Sequence, residues 1–233
     1  MNINYFSNAE VMSQKAAKIV LEEARHKPNS LFCTATGSSP TKLYRILAEE
    51  NKKHIGLFQK IRVIPLDEWI GLSTAEGSCH AYINEHVLTP LNISNERYFG
   101  FNSNAESLDK ECERIQEILH DEGSIDVCIL GLGTNGHLGF NEPAQVLQSH
   151  CHIAELAPKS QEHPMIIDEM IKPMKGLTLG MQDIMAAKRI ILLVSGEGKE
   201  GAVTQLLSGE ISNECPVTWL WKHSNVDCLI LNT

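Results

Sequence analysis

Short, almost wholly apolar runs constrain this chain most: SLFCTA at 30–35, RVIPL at 62–66, IDVCIL at 125–130 and RIILLVS at 189–195. Runs of this length without polar alternation read as strands buried on both faces, the condition of a parallel sheet covered by helices. Helical spacing fills the intervals. A first helix is capped at Ser7 or Asn8, carries Val11, Ala16, Ile19, Val20 and Ala24, and ends near Lys27-Pro28. Further helices are expected over 41–50, 78–88, 108–120, 161–171, 181–187 and 199–207, and further strands over 98–101, 152–156, 177–179 and 227–231. Pro65 makes the 62–66 strand short or ends it there. Alternation of this kind predicts an α/β fold: a doubly wound, mostly parallel, Rossmann-like sheet flanked by helices, in a single domain over 1–233.

Composition narrows the partners. A chain of 233 residues buries a large core without staples. A net charge of −9 with no Lys/Arg block argues against nucleic acid, yet a local cationic pocket for an anionic small molecule remains compatible with it. The seven cysteines (33, 79, 112, 128, 151, 215 and 228) are odd in number and form no CxxC pair. Free, mostly buried thiols in a reducing compartment are expected, with no metal site. MNINYFSNAE lacks the pattern of a signal peptide, and no apolar run approaches the ~20 residues that span a bilayer. The expectation is a cytoplasmic protein without a membrane partner.

The loops that follow the apolar runs hold the chemistry. GLGTNGHLGFNEP, residues 131–143, directly follows IDVCIL and combines glycines, which let backbone approach a ligand, with His137 and Glu142. Gly136 stands beside the histidine, and loops of this type at strand carboxyl ends bind ligands. TATGSSPT, residues 34–41, leaves one strand and opens a helix, so Gly37, Ser38, Ser39 and Thr41 can present N–H and hydroxyl groups to a phosphate; an ordinary capped helix start is the other reading. LDEWIGL, residues 66–72, places Asp67 and Glu68 at a strand end, either as a general base held by its neighbour or as a solvated turn or helix cap. In SGEGK, Lys199 follows the fourth run, as an exposed lysine or as a phosphate clamp.

Together, TGSSP, LDEW.GL, GLGTNGHLGFNEP and SGEGK resemble, in order and over nearly the whole chain, the glucosamine-6-phosphate deaminase/isomerase family, a sibling of the 6-phosphogluconolactonases. The resemblance implies a cofactor-free conversion of a 2-amino-2-deoxyhexose 6-phosphate to a ketohexose 6-phosphate and ammonia. It assigns Asp67 to proton transfer between C2 and C1, His137 to ring opening, Glu142 to support of the histidine, and Gly37, Ser38, Ser39, Thr41 and Lys199 to the phosphate. The small-molecule partner is a sugar phosphate.

Two departures from the family pattern matter. The family's aspartate two residues before the histidine is Asn135 here, which resembles the galactosamine-6-phosphate branch; galactosamine 6-phosphate, giving tagatose 6-phosphate, is therefore the expected substrate, and glucosamine 6-phosphate, giving fructose 6-phosphate, the alternative. Near 159–165 the family supplies a phosphate-binding arginine that PKSQEHPM lacks; Lys159, Ser160 or His163 can replace it. The shorter C-terminal end, compared with allosteric members, gives no reason to expect their effector control or hexamer, and the oligomeric state stays open. A lactonase would hydrolyse a sugar-lactone ester without a C2 base, and a sugar-phosphate sensor would ordinarily carry a DNA-binding segment for which no basic helix-turn-helix is present.

Overall fold

Two sheets meet at one edge of the molecule. The computed structural model describes residues 1–72, 76–167 and 169–232. In chain order it contains β1 (Asn2–Phe6), α1 (Ala9–His26), β2 (Leu31–Thr34), α2 (Ser38–Lys53), β3 (Arg62–Pro65), β4 (Asp67–Ile70), α3 (Cys79–Ile83) and α4 (Thr89–Leu91). These are followed by α5 (Leu108–Glu122), β5 (Val127–Gly131), β6 (His152–Glu155), β7 (Lys175–Thr178), α6 (Met181–Met185), β8 (Arg189–Val194), α7 (Glu200–Ser208) and β9 (Val226–Leu231). A π-helical turn, Asn84–Leu88, joins α3 to α4.

The larger sheet has the order β1-β9-β8-β5-β2-β3, and all its pairings are parallel. Its strands read as continuous apolar runs because both faces are covered. Along β8, Ile190, Leu192 and Val194 join the cluster that includes Ile115 of α5, Ile184 of α6 and Leu206 of α7. Ile191 and Leu193 point the other way, to Met12, Ala16 and Val20 of α1 and to Leu43 and Leu47 of α2. Period-two alternation thus feeds two cores from one strand.

The smaller sheet, β4-β7-β6, is antiparallel. Pro65 ends β3 at the edge of the large sheet, where its missing N–H costs no ladder bond. Two residues later, at Asp67, the chain enters the second sheet and pairs with Thr178.

Several expectations hold. Asn8 caps α1, its side chain accepting from the N–H groups of Glu10 and Val11 at 2.7 and 3.3 Å. All seven cysteines are free and buried. Other elements differ. β1 was not expected, because its polar, half-exposed residues owe their strand geometry to β9 alone. DEWI, Asp67–Ile70, is strand rather than loop. The expected strand at 98–101 reduces to a single bridge between Val63 and Tyr98. The expected helix over 161–171 breaks into 3-10 turns, Ser160–Glu162 and Pro164–Ile166, with residue 168 outside the described set. Pro164 accounts for that break: the residue before a proline disfavours helical backbone, and His163 is extended at ψ 136°. Among the described residues no helix is long and apolar enough to cross a membrane.

Candidate active site

The larger sheet has a switch point. From β2 the chain runs outward to β3, whereas from β5 it runs the other way to β8, so the connections leaving the carboxyl ends of β2 and β5 diverge. Ligands of open α/β sheets bind in such a crevice. A cavity of about 400 Å³ opens there, lined by the loops after β2, β5 and β8, by Asp67 and Trp69 of β4, and by Lys159, Ser160, Glu162, His163 and Pro164. That volume suits a small-molecule site.

Successive strand residues face opposite ways, and this separates the two adjacent carboxylates. Asp67 lines the cavity although its side chain is buried. Burial is the main cause that pushes its carboxyl up to about 7, and Glu68 adds to it; a hydrogen bond from the Cys79 thiol at 3.5 Å and the nearby His137 act the other way. Glu68 points to the other face of the strand, where it is buried away from the cavity. It accepts the backbone N–H groups of Trp69, Cys79 and His80 at 2.8–2.9 Å and so caps the start of α3. The helix-cap reading applies to Glu68, which is not a cavity residue.

The glycine loop supplies the second group. His137 lines the cavity, and Glu142 stands behind it with Oε2 3.2 Å from the buried Nδ1. The ring is off-line for a formed hydrogen bond, so the pairing is electrostatic at close approach. Glu142 also accepts from Asn135 Nδ2 at 2.7 Å, from the Ser160 hydroxyl, and from the N–H of Ala157 at 3.4 Å. Burial would raise its carboxyl, but His137, Ser160 and Asn135 together bring it down to about 2. Glu142 is therefore a fixed anion at neutral pH. Asn135 spends both ends of its amide here, since its Oδ1 accepts the His137 N–H at 3.2 Å. Neither Asn135 nor Glu142 lines the cavity; both contact the histidine from behind. Gly133 explains the glycine density, because a Cβ there would lie 2.3 Å from His137 Nε2. Gly136 is a turn residue: its φ is +88°, a Cβ would lie 2.4 Å from Cys215 Sγ, and it does not line the cavity.

Elsewhere the lining carries groups that suit an anion. α2 begins at Ser38, three residues earlier than expected, after Gly37 at φ +89°. Ser38 and Ser39 thus lie in its first turn, where N–H groups are unpaired and the helix dipole favours negative charge. Ser195 Oγ donates to Ser39 Oγ at 2.9 Å and ties the loops together. Thr41 does not reach the cavity; its hydroxyl bonds Gly37 O and the Tyr82 hydroxyl, each at 2.8 Å. Lys199 lines the cavity with no ion pair among the described residues, and burial lowers its ammonium from the ordinary value. His163 lies across from Gly37, its Nε2 3.5 Å from the position of a Cβ on that glycine. Its Nδ1 accepts the Met165 N–H at 3.3 Å, which leaves the ring proton on Nε2. Burial, then the charges of His137 and Lys199, hold the ring below its ordinary value, hence neutral at pH 7. Ser160 also lines the cavity, at its boundary with Glu142. Thr36, Trp69 and Ser195 were missed as lining residues, although all three lie inside or beside the quoted motifs.

The family model for glucosamine-6-phosphate isomerases/6-phosphogluconolactonase matches residues 7–229. AgaI, a candidate deaminase of Escherichia coli (strain K12), is 38% identical over 96% of this chain and 89% of its own length. Glucosamine-6-phosphate deaminase 1 of Bacillus subtilis (strain 168) is 37% identical over 95% of this chain and 93% of its own. Among solved structures, a monomeric glucosamine-6-phosphate deaminase superposes with a TM-score of 0.92 at 36% identity, covering 99% of this chain and 97% of that one. The 6-phosphogluconolactonase of Thermotoga maritima shares the fold, with a TM-score of 0.77 at 15% identity over 100% of this chain and 99% of its own. The α/β architecture, the order of the motif loops and these matches lead to one assignment: the chain belongs to the glucosamine-6-phosphate isomerase/6-phosphogluconolactonase family.

Proposed function

We propose that this protein converts a 2-amino-2-deoxyhexose 6-phosphate to a ketohexose 6-phosphate with release of ammonia. One observation carries the reading: a buried carboxyl poised at about 7, Asp67, shares a cavity with a carboxylate-backed histidine, and an anion site occupies the far end. An ester lactonase needs no base at C2, so Asp67 would be less critical to it. Relatives named as glucosamine-6-phosphate deaminases support the same class.

The geometry suggests a division of labour. The phosphate rests on the first turn of α2, on Lys199 and on the neutral Nε2–H of His163. His137, kept in register by Glu142, moves a proton between the anomeric hydroxyl and the ring oxygen and opens the pyranose. Ionised Asp67 removes the C2 proton while a proton of the substrate's ammonium group passes to O1, giving an enolamine, and Asp67 then returns its proton to C1. The C1 carbon becomes CH2OH and C2 an iminium. Water adds at C2, ammonia leaves, and the ketone remains. Electrons are redistributed within the substrate, so the sequence of steps requires neither a metal nor a redox cofactor.

The sugar is proposed to be galactosamine 6-phosphate, which yields tagatose 6-phosphate. Support comes from Asn135, the amide that stands where the glucosamine branch carries an aspartate. Because Asn135 faces Glu142 and not the cavity, its effect on the sugar would be indirect, through the placement of His137. Glucosamine 6-phosphate is the second reading, favoured by the names of the relatives. Ammonia release from each ester, with Asp67→Asn as control, tests both levels. Faster release from the galactosamine ester is expected, with a loss of about 10²–10⁴-fold in the variant. Faster release from the glucosamine ester refutes the choice of sugar, and release from neither refutes the reaction.

A further inference from the structure

Cys79 opens α3, is fully buried, and has no part in the chemistry above. Its Sγ lies 3.5 Å from Asp67 Oδ1, and the hydroxyl of Thr36, a cavity residue, lies 3.8 Å behind the sulfur. The Cys79 N–H donates to Glu68 Oε1 at 2.9 Å, which pins the backbone that carries the thiol. Asp67 Oδ2, by contrast, borders the cavity loop, 3.3 Å from where a Cβ on Gly139 would stand. We infer that Cys79 is a positioning residue for the candidate base: its thiol donates to Asp67 Oδ1 and leaves Oδ2 as the oxygen that exchanges the substrate proton. The inference rests on the proposed role of Asp67.

The donor must be a neutral thiol. Burial, followed by the charges of Asp67 and Glu68, raises the Cys79 thiol well above its ordinary value, so it keeps its proton wherever the carboxylate is ionised. Thr36 then donates to sulfur, completing a line from the phosphate loop to the base. The other charged groups that act on Asp67 are Glu68 of its own strand and His137 of the glycine loop. The buried Cys33 of β2 and Tyr44 of α2 also feel its charge. Among the described residues Cys79 alone combines contact with Asp67 and a proton to donate.

The test compares Cys79→Ala and Cys79→Val, which remove the donor with and without the side-chain volume, against Cys79→Ser, which keeps a donor. The acid limb of kcat/KM should move up by about one pH unit in Ala and Val and stay in place in Ser, with KM changed no more than about twofold. A limb unmoved in Ala and Val overturns the inference. A limb that moves equally in Ser overturns it too, because disturbed packing would then be the cause. If the Ala variant fails to fold, the Val and Ser pair decides alone. Carbon-13 NMR titration of the Asp67 carboxyl in the resting protein gives a readout independent of turnover. The thiol's role is therefore decided even if the wild-type protein releases no ammonia.

Discussion

Replacing the candidate base should make the protein both inactive and more stable, to a degree that depends on pH. Asp67 is 7% exposed, and its carboxyl is pushed from 3.8 up to about 7, chiefly by burial. The folded state therefore holds this proton more tightly than the unfolded chain does. The resulting stabilisation is complete below the unfolded value and is lost as pH rises to about 7. At about 1.4 kcal/mol per unit, the interval corresponds to roughly 4 kcal/mol of ionisation cost at pH 8. Because the cavity admits water, about 2 kcal/mol is the working expectation. Asp67→Asn cannot ionise, so it escapes that cost. Urea unfolding of both proteins at several pH values between 4 and 8, analysed where the transition is two-state, gives the difference directly. The advantage of the asparagine variant should be smallest near pH 4, grow to pH 7 and then level off. The wild-type kcat/KM should rise through the same interval, so that activity and stability run in opposite directions. A stability difference constant with pH, or one that shrinks as pH rises, would refute the reasoning.

Other perturbations follow from the same geometry. Gly133→Ala places a methyl 2.3 Å from the present position of His137 Nε2, so the ring must leave its seat and kcat should fall about 100-fold or more, read by ammonia release. Lys199→Met removes the half-buried cation of the anion site; KM for the sugar phosphate should rise about 10- to 100-fold with a smaller change in kcat. Glu142→Gln removes the anion behind His137 and should lower kcat about 100-fold at near-constant KM. The folded value of the Glu142 carboxyl is lowered to about 2, so its stabilising contribution is present above the ordinary value of 4.5 and lost as pH falls through 2; the stability deficit of Glu142→Gln should shrink over that window in acid unfolding. Asn135→Asp sets a second carboxylate within 2.7 Å of Glu142 Oε2, which should raise the Glu142 titration and show as a shifted pH profile.

The central strands were legible in the sequence because burial on both faces leaves them no polar residues to alternate with. β1 was illegible for the opposite reason, since exposed Asn2 and half-buried Asn4 take strand form only from pairing with β9. The 161–171 segment misled because Ile166 and its neighbours keep helical spacing, while Pro164 imposes extended backbone on His163. In the site, the glycine loop announced His137, but nothing in LDEW tells which carboxylate faces the ligand. That follows from strand parity, hence from recognising β4, and β4 was hidden behind Pro65. Thr41 belonged to the right loop, yet the early start of α2 turns its hydroxyl to Tyr82. Cys79 carried no signal at all, because its importance lies in what folding sets 3.5 Å from it.

The candidate base stands on the small antiparallel sheet, while the candidate phosphate loop stands on the large parallel one, and only Leu66 separates β3 from β4. A bound sugar phosphate would span that seam like a crossbar, with C2 against one sheet and C6 against the other. Sliding between the sheets would then change the distance from base to carbon while leaving phosphate affinity untouched. Apolar residues of the shared core, such as Leu177 and Leu179, would then act as gauge blocks for the proposed reaction without lining the cavity.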